Sequence, residues 1–276
     1  MRLPVKVVGS VGSLNETMPR PTKGLPEVAL AGRSNVGKST LLNALLYGNQ
    51  PSAAGTPHRR QPKRGRARKT PEGKKIPRGA KAITSNLPGE TKQITFYQLS
   101  AKQHLNHHQL SLMLVDLPGY GFAYASQERA AEWGKLMKQY ILGRGKALKR
   151  VLLLVDARHG MKKADVDFLV SLESTAPRSN GRRKELLPPI QIVLTKCDLV
   201  SQVDLARRVV QVRQQLSDTL RRQPSSLPVM LVSAKAGVGY NAVVRGVAQG
   251  GVLELQRDLA ALVPPPDTRN SSKKKT

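Results

Sequence analysis

The chain has 276 residues, 39% of them hydrophobic, and its 46 Lys and Arg against 18 Asp and Glu give a formal net charge of +28. This length and apolar content support a folded core and exclude disorder throughout; no window approaches the roughly 18 uninterrupted apolar residues of a spanning helix, and a single cysteine, Cys197, excludes an internal disulfide. The charge excess points to a polyanionic partner, with RNA, DNA and anionic membrane all open on charge alone.

Residues 1–24 read as an N-terminal extension, and the first fifteen carry Arg2 and Lys6 with no acid, a presequence-like composition. An apolar run over 28–31 predicts a strand, followed by the glycine-rich "GRSNVGKST" of residues 32–40 and a helix over 38–47. Residues 49–81 interrupt the pattern with eleven Lys or Arg, one Glu and many Pro and Gly, a composition that cannot bury a core and reads as a disordered or partner-ordered insertion. Strand-like runs over 94–99 and 110–115 enclose "SAKQHLNHHQ" with no helix between them, which predicts an antiparallel hairpin. His104, His107 and His108 at its tip have metal-like spacing, but no Cys or carboxylate cluster accompanies them, so solvent exposure is the expectation.

Beyond the hairpin, helices over 126–142, 163–172, 203–222 and 241–262 alternate with strands over 151–155, 190–194 and 229–232, and residues 263–276 form a basic, frayed tail. The alternation predicts an α/β fold, a mostly parallel sheet with helices on both faces. Residues 25–262 would form one domain carrying the insertion.

Three motifs fall at predicted strand ends. Gly32, Gly37, Lys38 and Ser39 fit G-x-x-x-x-G-K-[ST], in which backbone N–H groups surround phosphates, the lysine reaches the terminal ones and the hydroxyl ligates Mg²⁺. "VDLPGYG" places Asp116 to hold Mg²⁺ through water and the Gly119 N–H to meet a γ-phosphate, so this turn can sense hydrolysis. In "LTKCD", Asp198 can accept from N1–H and the exocyclic amine of guanine, a donor pair that adenine lacks. Lys196 would lie over the base and Thr195 brace the loop, with a Lys196–Asp198 salt pair as the purely structural alternative. The backbone of Ser233, Ala234 and Lys235 could meet the guanine oxygen.

With "GRSNVGKST", "LPGET", "DLPGYG", "TKCD" and "SAK" in this order, the chain resembles translation-factor-class GTPases. "AGRSNVGKSTLLNALL", "DLPGYGFA", "EWGKLMKQYI" and "DARHGMKKAD" make it similar to the EngB family, also called YsxC or YihA, from about residue 25 to residue 262. The resemblance implies a six-stranded Ras-like P-loop GTPase fold, with one antiparallel strand, and a role in assembling the large ribosomal subunit. It assigns Arg33, Ser34, Asn35, Val36 and Thr40 to the phosphate loop, Thr91 to the switch position that ligates Mg²⁺ in the GTP state, and Asp116 to Gly119 to the second switch. Lys38, Thr91 and Gly119 then carry the reaction, with GTP/GDP and Mg²⁺ as cofactors. Glu90 departs from a usually basic position, and Cys197 stands where alanine is common and is expected only to pack. Asn35 either recruits K⁺ beside the phosphates or stabilises the loop.

Tyr120 follows the D-x-x-G glycine where Ras-type enzymes place a water-orienting Gln, so slow intrinsic turnover is expected. Tyr120, Phe122 and Tyr124 could stack on bases, but packing of the switch turn is the stronger expectation. Arg59, Arg60, Lys63, Arg64, Arg66, Arg68 and Lys69 resemble an arginine-rich tail that folds on rRNA. Removing the insertion's net +10 still leaves +18 on the rest of the chain. The expectation is therefore a GTP-hydrolysing assembly factor, monomeric before it docks on a large-subunit precursor. It would act in the mitochondrial matrix, with bacterial cytoplasm or plastid as alternatives. A nucleotide-bound structural RNA-binding module is the second reading. A membrane-surface GTPase ranks last, for want of an amphipathic anchor or lipidation motif.

Overall fold

The computed structural model describes residues 4–47, 93–102, 109–121, 127–175, 178–179, 182–183, 187–220, 228–234 and 251–264. The insertion, the tip histidines His104, His107 and His108, Glu90, Thr91, Phe122, Tyr124 and Lys235 lie outside the described residues.

A seven-stranded sheet organises the chain. Its strands are β1 (Val5–Val11), β2 (Glu27–Gly32), β3 (Ile94–Lys102), β4 (Gln109–Asp116), β5 (Leu148–Asp156), β8 (Ile190–Thr195) and β9 (Val229–Leu231), in the order β1-β3-β4-β2-β5-β8-β9. A two-stranded ribbon, β6 (Arg178–Ser179) with β7 (Arg182–Arg183), stands apart from it. From β4 through β9 every pairing is parallel, while β3 runs antiparallel to both β4 and β1. The expected β3–β4 hairpin is present, in register from Thr95 opposite Asp116 to Lys102 opposite Gln109.

The expectation of six strands is corrected to seven. The added strand, β1, comes from residues read as extension; its "VKVVGSV" alternates half-buried and exposed positions, the two-residue period of an edge strand with one face on the core. β2 and β8, in contrast, are buried at every position, as strands covered on both faces must be.

Among the described residues, five α-helices cover the sheet: α1 (Lys38–Tyr47), α2 (Gln127–Gly143), α3 (Lys163–Thr175), α4 (Gln202–Thr219) and α5 (Val252–Ala260). Two apolar layers result. Leu41, Leu42, Leu45 and Leu46 of α1 and Leu255 and Leu259 of α5 pack with Val28, Leu30, Leu152 and Leu154 on one face. Leu136, Met137 and Tyr140 of α2, Leu169 and Leu172 of α3, and Leu205, Val209, Val212 and Leu216 of α4 pack with Ala29, Val115, Leu153 and Ile192 on the other. The α4 set recurs at four- and three-residue steps, one stripe of a helix whose N-cap, Ser201, accepts from the Asp204 N–H at 3.2 Å. Among the described residues no helix is long and apolar enough to cross a membrane.

β2 sits where the chain order reverses, with β4 on one side and β5 on the other. The loop leaving its C-terminal end therefore opens at the switch point at which open α/β sheets bind ligands.

Candidate functional site

Glycine is obligatory where this loop starts. Gly32 has φ +152°, and a Cβ there would stand 2.8 Å from the Leu154 carbonyl oxygen of β5. Gly37, at φ +104°, ends the loop, and the Leu41 N–H donates to its carbonyl at 2.9 Å, closing the first turn of α1. The loop thus delivers its amides to a helix N-terminus, the arrangement that favours bound phosphate.

Lys38 opens α1 but turns back into the loop. Its ammonium is buried and donates to the carbonyls of Gly32 at 3.1 Å and Arg33 at 3.3 Å. Burial pushes its pKa down, and nearby Asp116 works against that shift. Asp116 ends β4, only 3% exposed; burial raises its carboxyl to about 6, with Lys38 opposing. Its Oδ1 is buried without a hydrogen-bond partner. A buried, unpaired carboxylate oxygen near Lys38, the residue before Ser39, fits a hard cation that takes oxygen ligands and keeps its waters. No group of three or more His, Cys, Asp and Glu that could hold a metal occurs among the described residues. Mg²⁺ held by one carboxylate, a hydroxyl and substrate phosphates needs no such cluster.

The turn after Asp116 lies on the phosphate loop. Arg33 and Tyr120 form an isolated parallel bridge, and the Ser34 N–H donates to the Tyr120 carbonyl at 3.3 Å. As expected, Tyr120 packs the turn: its ring stacks on Phe168 of α3, centroids 4.8 Å apart.

The second strand end meets the same loop. Thr195, at the end of β8, donates from Oγ1 to the Val36 carbonyl at 2.6 Å and so braces the phosphate loop. Lys196 adopts a left-handed conformation (φ +58°), and its ammonium donates to the Asn35 carbonyl at 2.6 Å and pairs with Asp156 Oδ2 at 2.9 Å. The salt pair of Lys196 with Asp198 is thereby replaced by one with Asp156. Asp198 is exposed beyond β8, with Ser233 Oγ donating to its Oδ1 at 2.6 Å. Ser233 thus reaches Asp198 through its hydroxyl, with Ala234 following it. Cys197 is buried with its thiol pushed up to about 12 by burial, and beyond packing it donates from Sγ to the Leu194 carbonyl at 3.1 Å.

Residues of "DARHGMKKAD" with no chemical role assigned from the sequence, together with Arg208, complete the arrangement. Burial works to raise the Asp156 carboxyl, but hydrogen bonds from Arg158 and Lys196 outweigh it and hold the group well below the usual carboxylate range. Arg208 of α4 donates to the carbonyls of Ala157 at 3.1 Å and Arg158 at 3.0 Å, fixing the loop that carries this pair. The only sequence signal was the "DARHG" turn after a strand. Its partners, some 40 and 50 residues away, are a product of the fold.

The chain matches the family described as "50S ribosome-binding GTPase" over residues 27–196. It is 36% identical over 219 residues to a probable GTP-binding protein EngB of Rhodopseudomonas palustris, covering 79% of this chain and 76% of the relative. With the EngB protein of Rhizobium etli it shares 33% identity over 230 residues, 83% of this chain and 85% of that one. A crystal structure of Era, solved with MgGDPNP and nucleotides 1506–1542 of 16S ribosomal RNA, superposes with a TM-score of 0.53 at 19% identity, over 88% of this chain and 58% of Era. At that identity the likeness shows a shared fold.

Proposed function

Because the chain belongs to the EngB family of GTP-binding proteins, we propose that GTP binding and hydrolysis time its docking on, and release from, a precursor of the large ribosomal subunit. One observation carries the reading: the buried Lys38–Asp116 pair, with Asp116 Oδ1 left open, is joined through Thr195 and Lys196 to the strand end that presents Asp198. Phosphate recognition and guanine recognition are thus parts of one braced loop system.

Lys38 binds the terminal phosphates, the loop amides orient them, and Asp198 selects the base. Bound Mg²⁺ would neutralise charge on the β- and γ-phosphates, with Ser39, Asp116 and Thr91 as the residues to hold it. Gly119 meets the γ-phosphate and couples its presence to the switch turn. Tyr120 carries a phenol where Ras-type enzymes place an amide, and a phenol cannot orient the attacking water as an amide does. That supports slow intrinsic turnover, raised by a docked partner or by K⁺ beside Asn35.

The net +28 supports an rRNA partner, with the arginine-rich insertion as its principal contact and docking of a monomer. The basic insertion and the charge excess support the mitochondrial matrix, with bacterial cytoplasm or plastid as the alternatives. Sedimentation with large-subunit precursors tests the proposal. Association is expected with a non-hydrolysable GTP analogue and not with GDP, weakening about 10³- to 10⁵-fold between 50 and 200 mM salt for six to ten phosphate contacts. No GTP-dependent association would overturn it. The phenol of Tyr120 in place of a water-orienting amide also favours a second reading, a structural RNA-binding module that rarely hydrolyses GTP. Unchanged turnover and release in both Lys38→Ala and Thr91→Ala would select it.

A further inference from the structure

Asp165 lies in the first turn of α3, at the end of "DARHGMKKAD" and with no chemical role assigned from the sequence, yet it is 1% exposed and serves three separate segments. Its Oδ1 accepts from the Tyr120 hydroxyl at 2.9 Å, and its Oδ2 accepts from the Lys162 N–H at 2.8 Å and faces Arg33 Nε at 3.5 Å. One carboxylate therefore ties the switch turn and the phosphate loop to the start of α3. The Tyr120 ring, stacked on Phe168 one turn farther along, fixes the direction of the phenol.

The tie holds the turn where a terminal phosphate has to enter. A Cβ on Gly119 would stand 3.0 Å from Lys38 Nζ and 3.2 Å from the Ser34 amide nitrogen, so the turn lies directly over the ammonium that a γ-phosphate must reach. Admitting that phosphate requires Gly119 to lift, and Tyr120, the next residue, is the one held by Asp165. GDP has no γ-phosphate and makes no such demand. A contact that stabilises one position of a two-position element disfavours the ligand that needs the other by the free energy of that contact.

We propose that Asp165 is a positioning residue that latches Tyr120, and with it the Gly119 turn, in the arrangement that favours GDP, and that release of the phenol accompanies γ-phosphate binding. The proposal rests on the guanine-nucleotide reading of the site and adds the residue that sets its preference. The role is selective: the latch opposes GTP and is neutral to GDP. Arg33, part of the phosphate loop, shares the same carboxylate, so phosphate contact at the loop and release of the turn act on one group.

Equilibrium binding of GDP and of a non-hydrolysable GTP analogue to the full chain, with Mg²⁺ present, tests the latch. Tyr120→Phe keeps the stack on Phe168 and removes only the hydroxyl. It is expected to raise affinity for the GTP analogue relative to GDP by about tenfold, the worth of one hydrogen bond to a charged group. Asp165→Asn weakens the same tie and should move the ratio in the same direction, and Arg207→Ala, at an exposed ion pair on α4, should leave it unchanged. Thermal melts identify any variant that does not fold, and Tyr120→Phe carries the test if Asp165→Asn fails. An unchanged ratio in folded Tyr120→Phe, or a fall in analogue affinity, overturns the latch. Failure of the unmodified chain to bind either nucleotide overturns the underlying reading instead.

Discussion

Two buried charged clusters lie at opposite ends of β2, and they differ in completeness. At its start, Glu27 accepts from Arg144 Nη2 at 2.6 Å, from Arg144 Nε at 2.8 Å and from the Tyr140 hydroxyl at 2.8 Å. Arg144 spends its remaining nitrogen on the Pro19 carbonyl at 2.7 Å and lies 5.4 Å from the ring centroids of Phe96 and Tyr140. Just beyond the other end, Asp116 Oδ1 has no hydrogen-bond partner and, among the described residues, the Lys38 ammonium hydrogen-bonds backbone carbonyls and no carboxylate. Both clusters carry desolvated charge, but the first is closed and the second is open. A closed network stabilises the fold, whereas an open one holds its desolvation cost until a ligand supplies the missing partners.

The comparison breaks most visibly at the closed end. Arg144→Ala leaves a buried carboxylate with only Tyr140 and should cost about 3–5 kcal/mol, a fall in Tm of roughly 10 °C, with nucleotide affinity measured below that Tm unchanged. At the open end, Lys38→Ala should weaken GDP and GTP binding by about 2–5 kcal/mol, read by titration calorimetry. The same change should leave the Tm of the ligand-free protein unlowered, because it removes a buried ammonium. Should both substitutions destabilise alike, the distinction between the clusters fails.

Smaller effects sharpen it. Asp198→Asn should lower GTP affinity by about a hundredfold, since the amide cannot accept from both guanine donors, and should admit xanthosine triphosphate, whose C2 carbonyl accepts from the new amide. The smallest expected effect concerns acid. Asp156 titrates below its ordinary value in the folded chain, so its contribution is present above the unfolded pKa near 4 and disappears as pH falls through 4 toward the folded value. Arg158 and Lys196 are partly exposed, so screening holds that contribution to about 1 kcal/mol. Asp156→Asn should accordingly flatten the fall of Tm between about pH 5 and pH 2, relative to the unmodified chain.

The open end was largely legible in the sequence and the closed end was not. Phosphate binding needs glycine where Gly32 meets the Leu154 carbonyl and an ammonium at the helix start, so the local string "GRSNVGKST" carries the chemistry. The order of apolar runs likewise located the strands and helices, because fully buried strands such as β2 and β8 are continuous apolar stretches. Glu27 and Arg144, 117 residues apart, give no local sign of each other. Nor do Tyr120 and Asp165, or Lys196 and Asp156, whose meeting depends on which strand ends lie side by side. β1 escaped because an edge strand half exposed to water reads as polar extension; Gly9 and Ser10 also thin its apolar pattern.

That edge strand has a consequence for the life of the chain. β3 spans nine residues and pairs with β4 on one side, and β1 alone occupies its other side. Trimming through Val11 would bare a row of backbone donors and acceptors on a long strand, a template for pairing with a second molecule. Loss of β1 would therefore create an aggregation seed; light scattering of a 12–276 fragment, turbid where the intact chain stays clear, would register the difference.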